Sequence, residues 1–498
     1  MTVPSSEIIA NRKIPAFVGG AKRNFIGGAW VPAASGATIQ VINPATGAGL
    51  GTIAASDAND VDAAVRAARA AFEGQWSRWT PHERRKLLLR VHDVVLENFD
   101  ELAIIETLDM GAPLTRTSGL REWTSQVLQF FASQTGAATV ASPPNSLPGD
   151  FLTLKYLEPV GVVGGITPWN GPLIGLWWIF GPALATGCTA VLKPAEDASL
   201  STLRIAELLQ EAGVPDGVVN VVTGYGKDAG SRLAEHPDVD RLAFTGSVAT
   251  AQEITRASAR SPKRLQMELG GKSPDIVFAD ADLDKAVPGA AMGVFSNSGQ
   301  VCVAGTRIFV QRPIHDEFVE RIGEFTTSIR VGDGLDPNTQ IGPLISARQL
   351  ERVLGYVDIG SREARLVAGG KRLEGDKACG FYVEPTVFAG AHNDMTIAQE
   401  EIFGPVATVI PFDDTEEAIR LANDTPYGLA GGLWTQNVST AHTVSRALKA
   451  GTIWVNCYGV LDPAIGFGGT KRSGYGWKGA KEHVESYLYT KAVYLNLG

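Results

Sequence analysis

Five short runs decide the fold: VGVVGGITP (160–168), TAVLKP (189–194), VVNVVTG (218–224), RLAFTG (241–246) and PDIVFAD (274–280). Each is β-branched, bounded by Gly or Pro, and too short to be a helix. Helical patterns separate them, legible in LSTLRIAELLQEAG (200–213) and DAGSRLAEHP (228–237). Strand and helix in alternation require a parallel, doubly wound sheet joined by right-handed crossovers. Upstream, residues 56–104 carry amphipathic helical spacing at Val61, Ala64, Val65, Ala68 and Ala71, with Asp57 placed to cap the first turn. Downstream of Phe278 a second α/β series follows: TRIFVQ, the charged helix 315–330, YVEPTVFAG, VATVIPF, EEAIRLAND and GTIWVNCY. The end of the chain, SYLYTKAVYLNLG (486–498), alternates like a strand and needs a sheet edge from its own subunit or a neighbour. Pro, Gly and Ser in ATVASPPNSLPG (138–149) mark a protruding loop or hairpin.

A chain of 498 residues exceeds one hydrophobic core and suits two or three packed domains. With 44% hydrophobic and 19% charged residues, it can bury those cores. Forty-four basic against 53 acidic residues give a net charge of −9, which opposes attraction to nucleic acid or an anionic membrane. The most apolar stretch, GPLIGLWWIFGPALA (171–185), is too short and too Pro-broken to span a bilayer and reads as a buried helix lining a pocket. The first 17 residues show no secretory h-region or cleavage site, and four scattered cysteines form no CxxC pair, so a reducing cytoplasm is the expected compartment.

Seven isolated histidines lack HxH, HxxxH or HExxH spacing, so no metal site is expected, and no GxSxG elbow is present. GYGKDAG (224–230) follows a strand and precedes a helix, but its GxGxxxG spacing is one residue longer than the dinucleotide fingerprint. Cysteine is the better nucleophile, since a thiolate reacts without an elbow. Cys188 precedes a buried-looking strand, Cys457 sits in the apolar run TIWVNCY, and Cys379 lies in a charged loop. Cys302 sits in NSGQVCVAG (297–305), a small-residue turn where backbone amides can approach a reacting carbonyl. Local context alone leaves it open between a nucleophile and a buried structural thiol.

Seven ordered motifs settle the choice. PWN (168–170), KPAE (193–196), FTGS (244–247), ELGGKSP (268–274), the segment around Cys302, EEIFGP (400–405) and FGGxKxSG (467–474) together resemble the aldehyde dehydrogenase superfamily over nearly the whole chain. The resemblance implies two doubly wound domains: a Rossmann-like cofactor-binding domain (1–137 and 156–267) and a catalytic domain (268–485). A small β oligomerisation element (138–155 and 486–498) accompanies them, and the expected partner is a second copy of the chain, as a dimer or tetramer. It implies Cys302 as the nucleophile, Glu268 as the general base, and Asn170 with the Cys302 N–H as the oxyanion site. NAD is the implied cofactor. Lys193 and Glu196 are the implied adenosine-ribose contacts, with the carboxylate disfavouring NADP, and Ser247 at a helix start is the pyrophosphate contact. Thr167, Pro168, Trp169, Gly226, Phe244, Gly246, Leu269, Glu401 and Phe403 complete the implied cofactor set.

An apolar, bulky aldehyde, aromatic or terpenoid/long-chain, is the expected substrate. Gly171 and Gly175 stand where the family often carries bulk, and helical spacing places them one turn from Trp178. Leu173, Ile174, Val301, Val303, Leu461 and Phe467 offer an apolar lining, Gly459 replaces larger residues, and no Lys or Arg lies in 171–192 or 297–305 to hold a substrate carboxylate. Three departures from the family pattern stand out. GSTxxG reads Gly246-Ser247-Val248-Ala249-Thr250-Ala251, Gly466 replaces a common Pro, and Trp477-Lys478 replaces a frequent Arg-Glu. Two other classes compete, a coenzyme-A-acylating semialdehyde dehydrogenase and a noncatalytic homologue. The first typically lacks the glutamate of ELGGK and the second would have lost Cys302, Glu268 or Asn170.

Overall fold

The computed structural model describes residues 14–498, so most of the N-terminal stretch read for a secretory signal lies outside the described residues. The protein is α/β, built on two large sheets. The first has eight strands in the order Gly474–Tyr475, Arg264–Leu269, Arg241–Gly246, Val162–Ile166, Thr189–Lys193, Val219–Val221, Asn24–Ile26 and Ala29–Val31. Its five central strands are parallel, and the strands at both margins pair antiparallel. From Val162–Ile166 the chain winds first toward Val219–Val221 and then, through Arg241–Gly246, in the opposite direction. The winding therefore reverses beside the carboxyl ends of Val162–Ile166 and Arg241–Gly246, where open α/β sheets bind ligands.

One run belongs elsewhere than its sequence order implied. PDIVFAD follows the first series, yet Pro274–Val277 pairs in parallel with Arg307–Gln311 and Ala430–Trp434 in the second sheet. The last parallel strand of the first sheet is Arg264–Leu269, whose charged and polar residues hid it from a search for β-branched runs. The second sheet has seven strands in the order Arg365–Ala368, Thr386–Ala389, Val406–Phe412, Arg307–Gln311, Pro274–Val277, Ala430–Trp434 and Thr452–Val455. All its pairs are parallel except the first.

The helices form where local chemistry satisfies their free ends. Ala58–Glu73 starts at Asp57 in a capping box, with Asp57 accepting from Asn59 N–H at 2.8 Å and Asp60 from the Asp57 N–H at 3.0 Å. Pro81–Glu97 repeats the device with Thr80 and Glu83 and places Pro81 at its first turn. Of the apolar stretch 171–185, the helix Trp177–Thr186 is buried along its whole length between the first sheet and the helices Pro81–Glu97 and Leu114–Ser133. Among the described residues, no helix is long and apolar enough to cross a membrane.

The chain's own sheet edge receives the tail. Leu488–Asn496 pairs antiparallel with Phe151–Pro159 along its full length, and Val140–Ala141 adds a short third strand. The loop 142–150 that follows is exposed throughout. The outer margin of the tail strand is unpaired in the single chain, and Tyr494, Leu495 and Leu497 are exposed along it.

Candidate active site

Two crossings bring the site together. Thr167-Pro168-Trp169-Asn170 leaves the carboxyl end of Val162–Ile166, and Ser247 leaves that of Arg241–Gly246. Glu268 ends the adjoining strand Arg264–Leu269, and the turn carrying Cys302 comes from the second sheet, between the helix Leu283–Phe295 and the strand Arg307–Gln311. A cavity of about 470 Å³ opens between them. Cys302, Glu268 and Asn170 line it, with Pro168, Trp169, Gly246, Ser247 and Leu269 from the first sheet and Glu401 and Phe403 from the second.

The Cys302 turn is held by unusual backbone. Asn297, Ser298 and Gly299 follow one another with φ of 54°, 56° and 70°, a left-handed run that L side chains resist. Asn297 pays for its conformation with hydrogen bonds from its amide to the carbonyls of Asn170 (3.1 Å) and Gln300 (3.3 Å). Gly299 has no alternative, because a Cβ there would sit 2.0 Å from the Gly404 carbonyl oxygen. The Gln300 side chain accepts from Ile345 N–H at 2.9 Å and donates to the Asn297 carbonyl at 3.2 Å, tying the turn to the loop before helix Ala347–Glu363.

Asn170 Nδ2 donates to the Gln300 carbonyl at 2.9 Å, which fixes the amide beside Cys302 and leaves its second N–H for another acceptor. The Cys302 N–H makes no hydrogen bond to another described residue. Two donors of the kind an oxyanion needs therefore lie next to the thiol. Burial pushes the thiol up to about 12, against a lowering pull from Lys478. Glu268 is buried, and its Oε1 has no hydrogen-bond partner among the described residues. Burial raises its carboxyl to about 7, while Lys478 and the Gly469 N–H act the other way. A carboxyl poised near neutrality with a free oxygen can take a proton from water.

Several residues outside the earlier expectations also border the cavity: Thr245, Gly270, Arg348, Gln349 and Arg352. The last three stand on the helix Ala347–Glu363, where a surface Arg or Gln gives no local sign of a site. Gln349 donates to the Phe403 carbonyl at 2.7 Å, holding Phe403 at a φ of 60°, and the Phe403 ring meets Trp169 edge to face at 5.2 Å. Glu401 accepts from Gly271 N–H at 3.0 Å.

The residues expected to hold a dinucleotide fall into three places. Ser247 caps the 11-residue helix Val248–Ser258 at the cavity rim, and its hydroxyl accepts from Thr250 N–H at 3.2 Å. Lys193, buried, pairs with the half-buried Glu196 at 2.9 Å. Gly226 borders a second cavity of about 300 Å³ with Ile166, Ser231 and Thr250, and Gly230 in the same wall approaches the Lys193 stem. Phe244 lines neither cavity: it is buried in the apolar core beneath Gly246. Thr167 is buried, its N–H bonded to the Lys193 carbonyl at 3.1 Å.

The expected apolar pocket divides. Val301, Val303, Leu461 and Phe467 cluster with Cys302, Leu429, Trp454 and Tyr458. A Cβ on Gly459 would meet nothing within 4 Å, and nearby Val460 and Ile465 are exposed. Gly171 is likewise open, its nearest neighbour being Ile174 at 3.8 Å. Three positions are more enclosed. A Cβ on Gly175 would pack on Thr167 at 3.5 Å. Leu173 is fully buried core, its N–H bonded to Glu106. Trp178 is buried against Trp123, Phe131 and His483. Among the described residues no group of three or more His, Cys, Asp or Glu could hold a metal ion.

Comparison with known proteins places the chain in one family. Residues 30–493 match the profile described as the aldehyde dehydrogenase family. Aldehyde dehydrogenase 1 of Tanacetum cinerariifolium is 46% identical over 473 residues, 94% of each chain. The mitochondrial benzaldehyde dehydrogenase of Antirrhinum majus is 44% identical over 472 residues, 94% of this chain and 88% of that one. The NAD+ complex of aldehyde dehydrogenase from Bacillus cereus superposes with a TM-score of 0.93 at 43% identity, covering 100% of this chain and 99% of the other.

Proposed function

This chain belongs to the aldehyde dehydrogenase family, and from that premise we propose that it oxidises an apolar, bulky aldehyde to the carboxylic acid with NAD. The observation that carries the chemistry is the convergence of the Cys302 thiol, the free Glu268 oxygen and the Asn170 amide on one cavity. The Cys302 thiol gives up its proton to solvent, Sγ adds to the aldehyde carbon as the carbonyl π bond opens, and the Asn170 and Cys302 N–H groups hold the resulting oxyanion. NAD, when bound, supplies the hydride acceptor that turns this adduct into a thioester. Glu268 then takes a proton from water as the water oxygen attacks the thioester, the C–S bond breaks, and the acid leaves.

The same residues suit the cofactor. Ser247 at a helix start meets the pyrophosphate, Glu196 beside Lys193 the adenosine ribose, and Trp169, Glu401 and Phe403 the nicotinamide half. The half-buried Glu196 carboxylate opposes a 2′-phosphate, which favours NAD over NADP. The bulky-substrate reading is supported by the apolar cluster around Cys302 and by the open space at Gly171 and Gly459. The benzaldehyde-oxidising relative agrees with it. Each extra buried CH₂ is worth ~0.8 kcal/mol, so a fitted aromatic aldehyde gains more than tenfold over acetaldehyde. The cytoplasm, and a homo-oligomer joined through the tail and the 138–155 segment, complete the proposal.

The test is an aldehyde panel run with NAD and NADP. Aromatic and terpenoid aldehydes with NAD are expected to give the highest specificity constants, and Gly171→Phe to harm these selectively. A panel led by acetaldehyde or succinic semialdehyde refutes the substrate class, and equal constants for both cofactors refute the NAD preference.

A further inference from the structure

Lys478, one of the departures from the family's usual pattern, stands behind the general base. Its backbone is clamped to Phe467 by two hydrogen bonds of 2.7 Å. The next residue after Phe467, Gly468, faces Glu268 so closely that a Cβ there would lie 3.2 Å from Oε1. The Lys478 Nζ donates to Thr245 Oγ1 at 3.0 Å, and Thr245 is the residue paired directly with Glu268 in the parallel register. The lysine thus reaches the carboxylate's neighbourhood both through its strand partner and through the 467–468 turn. Yet no salt bridge of 4.0 Å or less ties Glu268 to any described cation.

We infer that Lys478 is the counter-charge of Glu268, anchored on Thr245 at a distance too long for an ion pair, so that the buried carboxylate has an electrostatic partner while its Oε1 stays free to accept a proton. It is a positioning residue, acting through Glu268, and the inference rests on the general-base reading above. The distance is the point of the arrangement. A contact ion pair would occupy the carboxylate's lone pairs and make it a poor base, whereas a buried carboxylate with no cation would be protonated at neutral pH. Among the described residues, Lys478 is the one charged group that acts on Glu268 in the direction of ionisation, and it also leads the influences that favour the Cys302 thiolate. The other charges around the cavity are Glu401, which opposes the thiolate, and Arg348 and Arg352 on the helix Ala347–Glu363. His483, also under the influence of Lys478, is held neutral by burial and by the charges of Arg241 and Lys478.

Infrared difference titration reads the protonation of Glu268 itself when each enzyme's E268Q counterpart is subtracted, which removes the other buried carboxyls. Lys478→Met removes the charge and keeps the stem, and Lys478→Arg keeps the charge. The Glu268 midpoint is expected to rise by about 0.5 pH unit or more in K478M, roughly a threefold change in the protonation ratio, and to stay near wild type in K478R. An unmoved midpoint in K478M overturns the inference, as does an equal rise in both variants, which would mark a packing effect. Lys478→Gln gives the same readout if K478M does not fold. The acidic limb of aldehyde turnover separates the two readings. A limb that follows the midpoint supports both, and one that stays put while the midpoint moves supports the charge pairing and refutes Glu268 as the base.

Discussion

At the scale of single residues, burial sets the working pH. Glu268 is held near 7 by burial, well above an ordinary carboxyl, and its task requires the deprotonated form. Turnover is therefore expected to fall as pH drops through about 7, and in E268Q this limb should disappear along with most of the steady rate. A pH–rate profile of both enzymes checks it, and a wild-type limb near 4.5 would place Glu268 in water rather than in an apolar site. The three residues proposed for chemistry were legible because each sits in a motif with a chemical reason. Lys478 was legible only as a departure: nothing local in GWKGAK says that its ammonium bonds Thr245, 233 positions earlier. Leu173 and Trp178, apolar and near the site in sequence, are buried, and periodicity alone does not say which faces of them meet the site.

At the scale of elements, the oxyanion site depends on how Pro172–Gly175 is anchored. The Glu106 carboxylate, fully buried on the helix Phe99–Met110, accepts from Leu173 N–H at 3.2 Å and from Ser201 Oγ at 2.8 Å. Burial raises it to about 7 against the pull of Ser201 and of Arg116. Glu106→Ala leaves these donors unpaired in the core, which costs about 1–3 kcal/mol each. It is expected to lower the unfolding midpoint and to cut turnover by loosening Asn170, with cofactor affinity little changed. Denaturant unfolding and steady-state kinetics measure both, and full activity in a destabilised variant would detach this anchor from the oxyanion site. The element pattern also shows where sequence reading stops. Periodicity found the β-branched strands but passed over Arg264–Leu269, whose polar residues break the pattern although its last four are buried, and which carries Glu268.

At the scale of the whole molecule, two large, mostly parallel sheets supply the site from both sides, and a small three-stranded sheet holds the tail. The tail strand's second margin is free in one chain and carries exposed Tyr494 and Leu495, an edge that proteins seldom leave uncovered. Light scattering at micromolar concentration is expected to show a dimer or tetramer that loosens when residues 488–498 are removed, and a monomeric full-length protein would contradict this. Sequence order could not reveal that Gly474–Tyr475 returns to the edge of the first sheet and brings Lys478 with it, because that pairing spans some 200 residues. The covalent route through Cys302 is tested most directly by trapping its thioester. E268Q is mixed with benzaldehyde and NAD, quenched within the first turnover, and its peptides are weighed by mass spectrometry. A benzoyl group on the peptide carrying Cys302, absent without NAD and absent in the Cys302→Ala, E268Q double variant, is the expected result. An unmodified Cys302 during undiminished NADH formation would contradict it.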